Sequence, residues 1–102
     1  MNTELKVEKE IQVKGLNAPR LTPDLIESKI KEKSFYKLTE RLTVCVITLK
    51  NGFELTGESS CVSADNYNKE IGEKISFENA RNKIWELEGY LLKENLFIKS
   101  NK

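Results

Sequence analysis

Residues 43–62, TVCVITLKNGFELTGESSCV, set two β-prone apolar runs on either side of Asn51-Gly52, the signature of a β-hairpin. A two-residue type I′ turn there pairs Lys50 with Phe53, Thr48 with Leu55, Val46 with Gly57 and Val44 with Ser59. On that register Val44, Val46, Phe53 and Leu55 share one face. Cys45, Ile47 and Leu49 share the other face with Glu54, Thr56 and Glu58. The first strand is therefore apolar on both sides and is expected at the centre of the sheet. Residues 5–14 alternate in period two, with Leu5, Val7, Ile11 and Val13 on one side, which predicts a third strand. Lys9 interrupts the apolar side as a charge guarding an edge would. Gly57 reads as a bulge or a close-packing position.

Two segments change to a helical period. Thr22-Pro23-Asp24 supplies an N-cap, a proline at the first helical position and an acid in the first turn, with Leu21 and Ile26 spaced as a hydrophobic staple. A helix over residues 23–33 follows, its apolar stripe Leu25, Ile26 and Ile30, its solvated face Lys29, Lys31, Glu32 and Lys33. Ala64-Asp65-Asn66 reads as the cap of a second helix over 66–97, roughly 45 Å long. A compact chain of this size has a radius of gyration near 13 Å, by the usual scaling, so that helix is expected to bend, protrude or meet another chain. Gly72 and Gly89 are the places where it could bend.

Phe77, Ala80, Ile84, Leu87 and Leu91 form a core stripe along this helix. Tyr67, Ile71, Ile75, Trp85, Leu92 and Leu96 form a second stripe on nearly the opposite side. One small sheet covers only one of them, so the second is expected to mediate self-association, with Trp85 as anchor. The fold class expected is α+β: a small antiparallel hairpin or three-stranded sheet packed on a long C-terminal helix, with a short N-terminal helix. An arm over 1–20 precedes a single domain over 21–102, whose hairpin spans 42–61.

Composition narrows the function. The 102 residues carry 17 basic and 16 acidic side chains, a formal charge of +1, so no global field draws the chain to DNA, RNA or an anionic membrane. No apolar run approaches the ~18 residues that would span a bilayer, and a cytosolic protein is expected. The two cysteines, Cys45 and Cys61, fall on opposite faces of the expected hairpin and are read as reduced thiols. With no histidine, the usual general base, the catalytic triads and most zinc sites are missing together. No carboxylate pair stands out, and neither catalysis, metal nor cofactor is expected.

The second stripe contains one site-like constellation. Glu78, Asn82, Trp85 and Gly89 are spaced 4, 3 and 4, within one helical stripe, and Lys74 and Arg81 flank them. An aromatic ring, an amide, a carboxylate and two cations are groups that a nucleotide uses: stacking for the base, hydrogen bonds for its edge or ribose, charge for phosphate. A tryptophan at an oligomer seam with rim charges accounts for the same residues without a ligand.

The strings TVCVITLKNGFELTGESSCV and IGEKISFENARNKIWELEGYLLKENL, with the Thr22-Pro23 helix start, resemble a small phage and prophage family named after gene product forty-nine of one enterobacterial phage and gene sixty-six of another. The resemblance covers roughly residues 21–96 and leaves the arm over 5–14 outside it. Where that family commonly has proline after the tryptophan, this chain has Glu86. The resemblance implies a phage accessory protein made in a host bacterial cytoplasm. Two functions are consistent with it: sequestering a cyclic nucleotide or ADP-ribose-type immune signal in a homo-oligomer, as small phage proteins of similar build do, or binding and inhibiting a host protein. Under the first, Trp85, Asn82 and Glu78 serve base and ribose, and Arg81 and Lys74 the phosphate.

Overall fold

The hairpin forms around Asn51-Gly52, but one residue out of the expected register. In a computed structural model of the chain, describing residues 2–101, β2 (Leu42–Leu49) pairs antiparallel with β3 (Glu54–Ser60), with Thr48 opposite Glu54, Val46 opposite Thr56 and Val44 opposite Glu58. The cause is Asn51. A type I′ turn needs positive φ at both central residues, whereas Gly52 has φ +92 and no described non-glycine residue has positive φ. The Gly52 amide instead donates to the Leu49 carbonyl at 2.9 Å. Asn51 Oδ1 accepts from the Phe53 amide at 2.9 Å. This is the three-residue loop in which a left-handed glycine completes the turn. Gly52→Ala, forced into that conformation, should cost ~1 kcal/mol in chemical denaturation.

A one-residue slip exchanges the faces of the second strand. Leu55 and Gly57 join Thr43, Cys45, Ile47 and Leu49 on the buried face, while Val44 and Val46 are half-buried among Glu54, Thr56 and Glu58 on the other. The expectation that Phe53 and Leu55 share a face with Val44 and Val46 is thereby overturned. Cys45 and Cys61 also fall on the same side rather than on opposite sides. Cys61 lies opposite Arg41, four residues along from Gly57, the partner of Cys45. That separation is about 13 Å along the strand, and both thiols are free.

β2 is the central strand, as expected, but its other neighbour is β1 (Ile30–Lys37), not residues 5–14. The expected 23–33 helix stops early, as α2 (Pro23–Ser28), with Thr22 Oγ1 capping the Leu25 amide at 3.1 Å. Lys31, Glu32, Lys33 and Lys37 fit an edge strand, where charge discourages further pairing. Phe35, opposite Cys45, packs on the core. On the same side, Lys33 and Lys37 extend over the rings of Phe77 and Tyr67, each 4.2 Å from the ring centroid. Lys33, expected on the solvated face of a helix, thus covers an aromatic ring instead.

Of residues 5–14, all but Lys14 are helical, within α1 (Asn2–Val13). Lysine, glutamate and glutamine are good helix formers, and contacts at four-residue spacing hold the turns: Gln12 donates to Glu8 at 2.7 Å and Lys14 to Glu10 at 2.9 Å. The period-two apolar positions do not form a buried face, since Leu5 and Val13 are 63% and 78% exposed.

A 3-10 turn (Ala64–Asn66) leads into α3 (Lys69–Ser100), a single helix of 32 residues. Its cap is Asn68, not residues 64–66: Asn68 Oδ1 accepts from the Ile71 amide at 3.0 Å. Asn68→Ala should lower stability by ~1 kcal/mol, read as a shifted denaturation midpoint. The face of α3 that meets the sheet is built from small residues at spacing four, Gly72, Ser76 and Ala80, ending in Ile84. Gly57 permits the approach, since a Cβ there would overlap the Ala80 amide nitrogen and the Ser76 carbonyl. The close-packing reading of Gly57 therefore holds. Asn79 Nδ2 and Lys83 Nζ reach the Glu58 and Thr56 carbonyls on β3 at 2.8 and 2.5 Å.

The core is Ile26, Cys45, Ile47, Leu49, Leu55, Ala80 and Ile84, with Phe77 and Trp85 packed at its margin. The expected core stripe is right through Ile84 but not beyond, because Leu87 and Leu91 are 39% and 48% exposed. α3 runs on past the sheet, giving a long axis of 56 Å and a radius of gyration of 16.6 Å.

Candidate groove at Trp85

α1 crosses the flank of α3 that carries Glu78, Asn82 and Trp85, and a groove of about 470 Å³ lies between them. Val7 and Ile11 of α1, Leu21 and Pro23 supply apolar walls, and Glu78 and Asn82 add a carboxylate and an amide. The size lies within the range of small-molecule sites, roughly 300–1,000 Å³.

One α1 carboxylate organises the inner wall. Glu4 Oε2 accepts from Arg81 Nη1 at 2.5 Å and from Trp85 Nε1 at 3.0 Å. Arg81 is 3% exposed. Its Nη2 donates to the Pro23 carbonyl at 3.3 Å, and its Nε, 3.6 Å from the Glu27 carboxylate, has no hydrogen bond. One turn further along α1, Arg20 grips Glu8 with both terminal nitrogens, at 2.6 and 3.0 Å.

Burial raises the pKa of Glu4, but hydrogen bonds from Arg81 and Trp85 outweigh it, so the net shift is downward from the ordinary 4.5. Glu8 is lowered as well, chiefly by the Arg20 hydrogen bond. A carboxylate whose folded pKa is depressed contributes stability fully above its unfolded pKa and loses it as pH falls through the folded value. Acidification below the ordinary carboxylate range should therefore release α1 before the sheet unfolds. Amide exchange should show residues 6–13 losing protection at a higher pH than β2. Burial pushes the Cys45 thiol up, away from nucleophilic character.

Of the residues singled out from sequence, Glu78, Asn82 and Trp85 line one groove. Arg81 is adjacent but turned inward onto Glu4, and Lys74 is exposed and outside the groove lining. Glu4, Glu8 and Arg20 were missed. A signal for the first two existed: Glu4, Val7, Glu8 and Ile11 follow a 3-1-3 spacing that places them on one helical face. Among the described residues no group of three or more His, Cys, Asp or Glu side chains could hold a metal ion. None of the described helices is long and apolar enough to cross a membrane.

The molecule is thus a small α+β protein with an antiparallel three-stranded sheet backed by one long helix, and an N-terminal helix laid over that helix's flank. Residues 21–96 match the Phage protein (N4 Gp49/phage Sf6 gene 66) family, and the chain belongs to it. No curated protein and no solved structure matches the chain. Pro23, Glu78, Arg81, Asn82 and Trp85 lie within the matched residues; α1 lies outside them.

Proposed function

We propose that this phage-family protein acts by binding rather than catalysis, holding a small nucleotide-type ligand in the Trp85 groove. The corresponding role is counter-defence in the host bacterial cytoplasm, by sequestering an immune signal. The observation that carries this reading is the grip of Arg81 and Trp85 on one anionic oxygen, that of Glu4. A charge-assisted donor and an indole N–H converge there as they would on phosphate. Asn82 and Glu78 beside the indole offer hydrogen bonds to a base edge or ribose. The groove does not offer Lys74 to a phosphate, which departs from the sequence expectation.

Thermal denaturation of the protein with cyclic di- and trinucleotides, cyclic ADP-ribose isomers, NAD and ADP-ribose tests the proposal. One class should stabilise by roughly 2.7 kcal/mol at a concentration 100-fold above its Kd, and Asn82→Ala should reduce that shift. A flat response across the panel sinks it.

A second reading has its own observation: Leu87 and Tyr90, beside β3, and Leu91, Phe97 and Ile98, further along α3, are all exposed. Leu87 and Leu91 continue the 3-4 row of Phe77, Ala80 and Ile84, so a second copy laid along α3 would extend the same seam. On this reading the chain self-associates through the end of α3, and not through the Trp85 stripe expected from sequence. Light scattering should give an oligomer for the wild type and a monomer for Leu91→Glu. A wild-type monomer would instead favour a host protein as the occupant of that strip.

A further inference from the structure

We infer that α1 is a resident plug: Glu4 and Glu8 occupy in cis the seats that two anionic groups of one ligand would take at Arg81 and Arg20, so ligand entry and α1 release are coupled. This deepens the ligand-binding reading and rests on it.

Arg81 is provided by the family-matched part of the chain, yet the carboxylate bonded to it comes from outside that part. Its side chain is 4% exposed, and its Nε is buried without a hydrogen-bond partner. Glu27, 3.6 Å away and 57% exposed, is a poor substitute for Glu4. A buried guanidinium left without a carboxylate or phosphate is strongly unfavourable, so any ligand that displaces Glu4 must bring its own anion. Trp85 Nε1, the second donor to the same oxygen, faces the same seat.

Glu4 and Glu8 are one helical turn apart, which sets their Cβ atoms roughly 5–6 Å from one another. A pair of seats at about that spacing suits the two outer groups of a linked triphosphate rather than a single phosphate. With α1 docked, the groove is walled by Glu4, Glu8 and Glu78, and the two arginines behind its α1 carboxylates are neutralised. Once α1 lifts, two carboxylates leave the wall while Arg81 and Arg20 are left unpaired by them. The α1 side of the groove goes with it, and the flank of α3 left behind, with Arg81 and Trp85 uncovered, changes from a surface that repels phosphate to one that attracts it.

α1 is suited to leave. A helix of 12 residues is marginal without tertiary contacts. Leu5, Val7 and Val13 are exposed, so few of its apolar side chains are committed to the docked position. The segment between Lys14 and Arg20 is exposed almost throughout.

The test uses the full chain, with inorganic tripolyphosphate as the linked-phosphate probe and inorganic phosphate as control. A doubly substituted protein, Glu4→Gln with Glu8→Gln, keeps side-chain shape and removes the competing charges. Calorimetry should give tripolyphosphate binding roughly tenfold or more tighter than wild type, because charge-assisted bonds held in cis no longer compete. Adding Arg81→Gln should abolish that gain. In the wild type, saturating tripolyphosphate should speed tryptic cleavage after Lys6, Lys9 and Lys14. Affinity no tighter in the double variant, or cleavage unchanged at saturation, overturns the plug. A flat nucleotide panel with tightened tripolyphosphate binding removes the nucleotide-type reading and supports the plug. A nucleotide that stabilises the wild type while α1 cleavage stays unchanged does the reverse.

Discussion

Gly57→Ala should destabilise the fold by roughly 3 kcal/mol, the upper range for overpacking a rigid interior. Gly57 sits in β3 where α3 crosses it, and an added Cβ would overlap the Ala80 amide nitrogen and the Ser76 carbonyl. Both are backbone atoms of a continuous helix, so no rotamer change relieves the clash. Either α3 lifts from the sheet, opening space beside Ile47, Leu55 and Ile84, or β3 shifts in register. For a domain of this size each kcal/mol lowers Tm by roughly 4–8 °C, so calorimetry should record a loss on the order of 15 °C. A Tm unchanged within a degree or two would mean that the helix and strand do not approach so closely in solution.

Glu4→Ala should be the next largest effect, for an electrostatic reason. It strips the carboxylate from Arg81 and leaves a guanidinium that is 3% exposed. Removing one partner of a buried pair costs roughly 3–5 kcal/mol when the survivor cannot reach water. Here the lower end is expected, because the Glu27 carboxylate remains 3.6 Å from Arg81 Nε. The reverse substitution, Arg81→Ala, should cost less, since Glu4 can swing into solvent with α1 while the sheet and α3 stay packed. The double variant should be more stable than the sum of the two singles, a coupling that urea denaturation of all four proteins measures directly. Strict additivity would show that the Glu4–Arg81 contact is not formed in solution.

How much was legible in the chain depends on how far each partner lies from its mate. The hairpin was visible because Asn51-Gly52 and its flanks are contiguous. Its register was not, since the two-residue and three-residue loops share Asn51-Gly52 and differ in the backbone conformation adopted at Lys50 and Asn51. β1 escaped because Lys31, Glu32 and Lys33 give its first half the composition of a solvated helix face. What makes it a strand is pairing with β2, a tertiary term that outweighs local propensity. α1 was misread because Leu5, Val7, Ile11 and Val13 fit an alternating pattern by accident, while the helical set Glu4, Val7, Glu8 and Ile11 mixes charged and apolar residues. The grouping of Glu78, Asn82 and Trp85 survived because one helix fixes it. The orientation of Arg81 could not be read from its own surroundings, since its partner is 77 positions away on the misread element.

Trp85 is the only tryptophan, so its emission reports on this groove alone. The most direct measurement is a fluorescence titration of the wild-type protein with whichever nucleotide stabilises it most. Saturable change in Trp85 emission, with a midpoint equal to the calorimetric Kd, is what a ligand seated between Trp85, Asn82 and Arg81 produces. Calorimetric binding with Trp85 emission unmoved would place the ligand elsewhere and contradict the groove as the site.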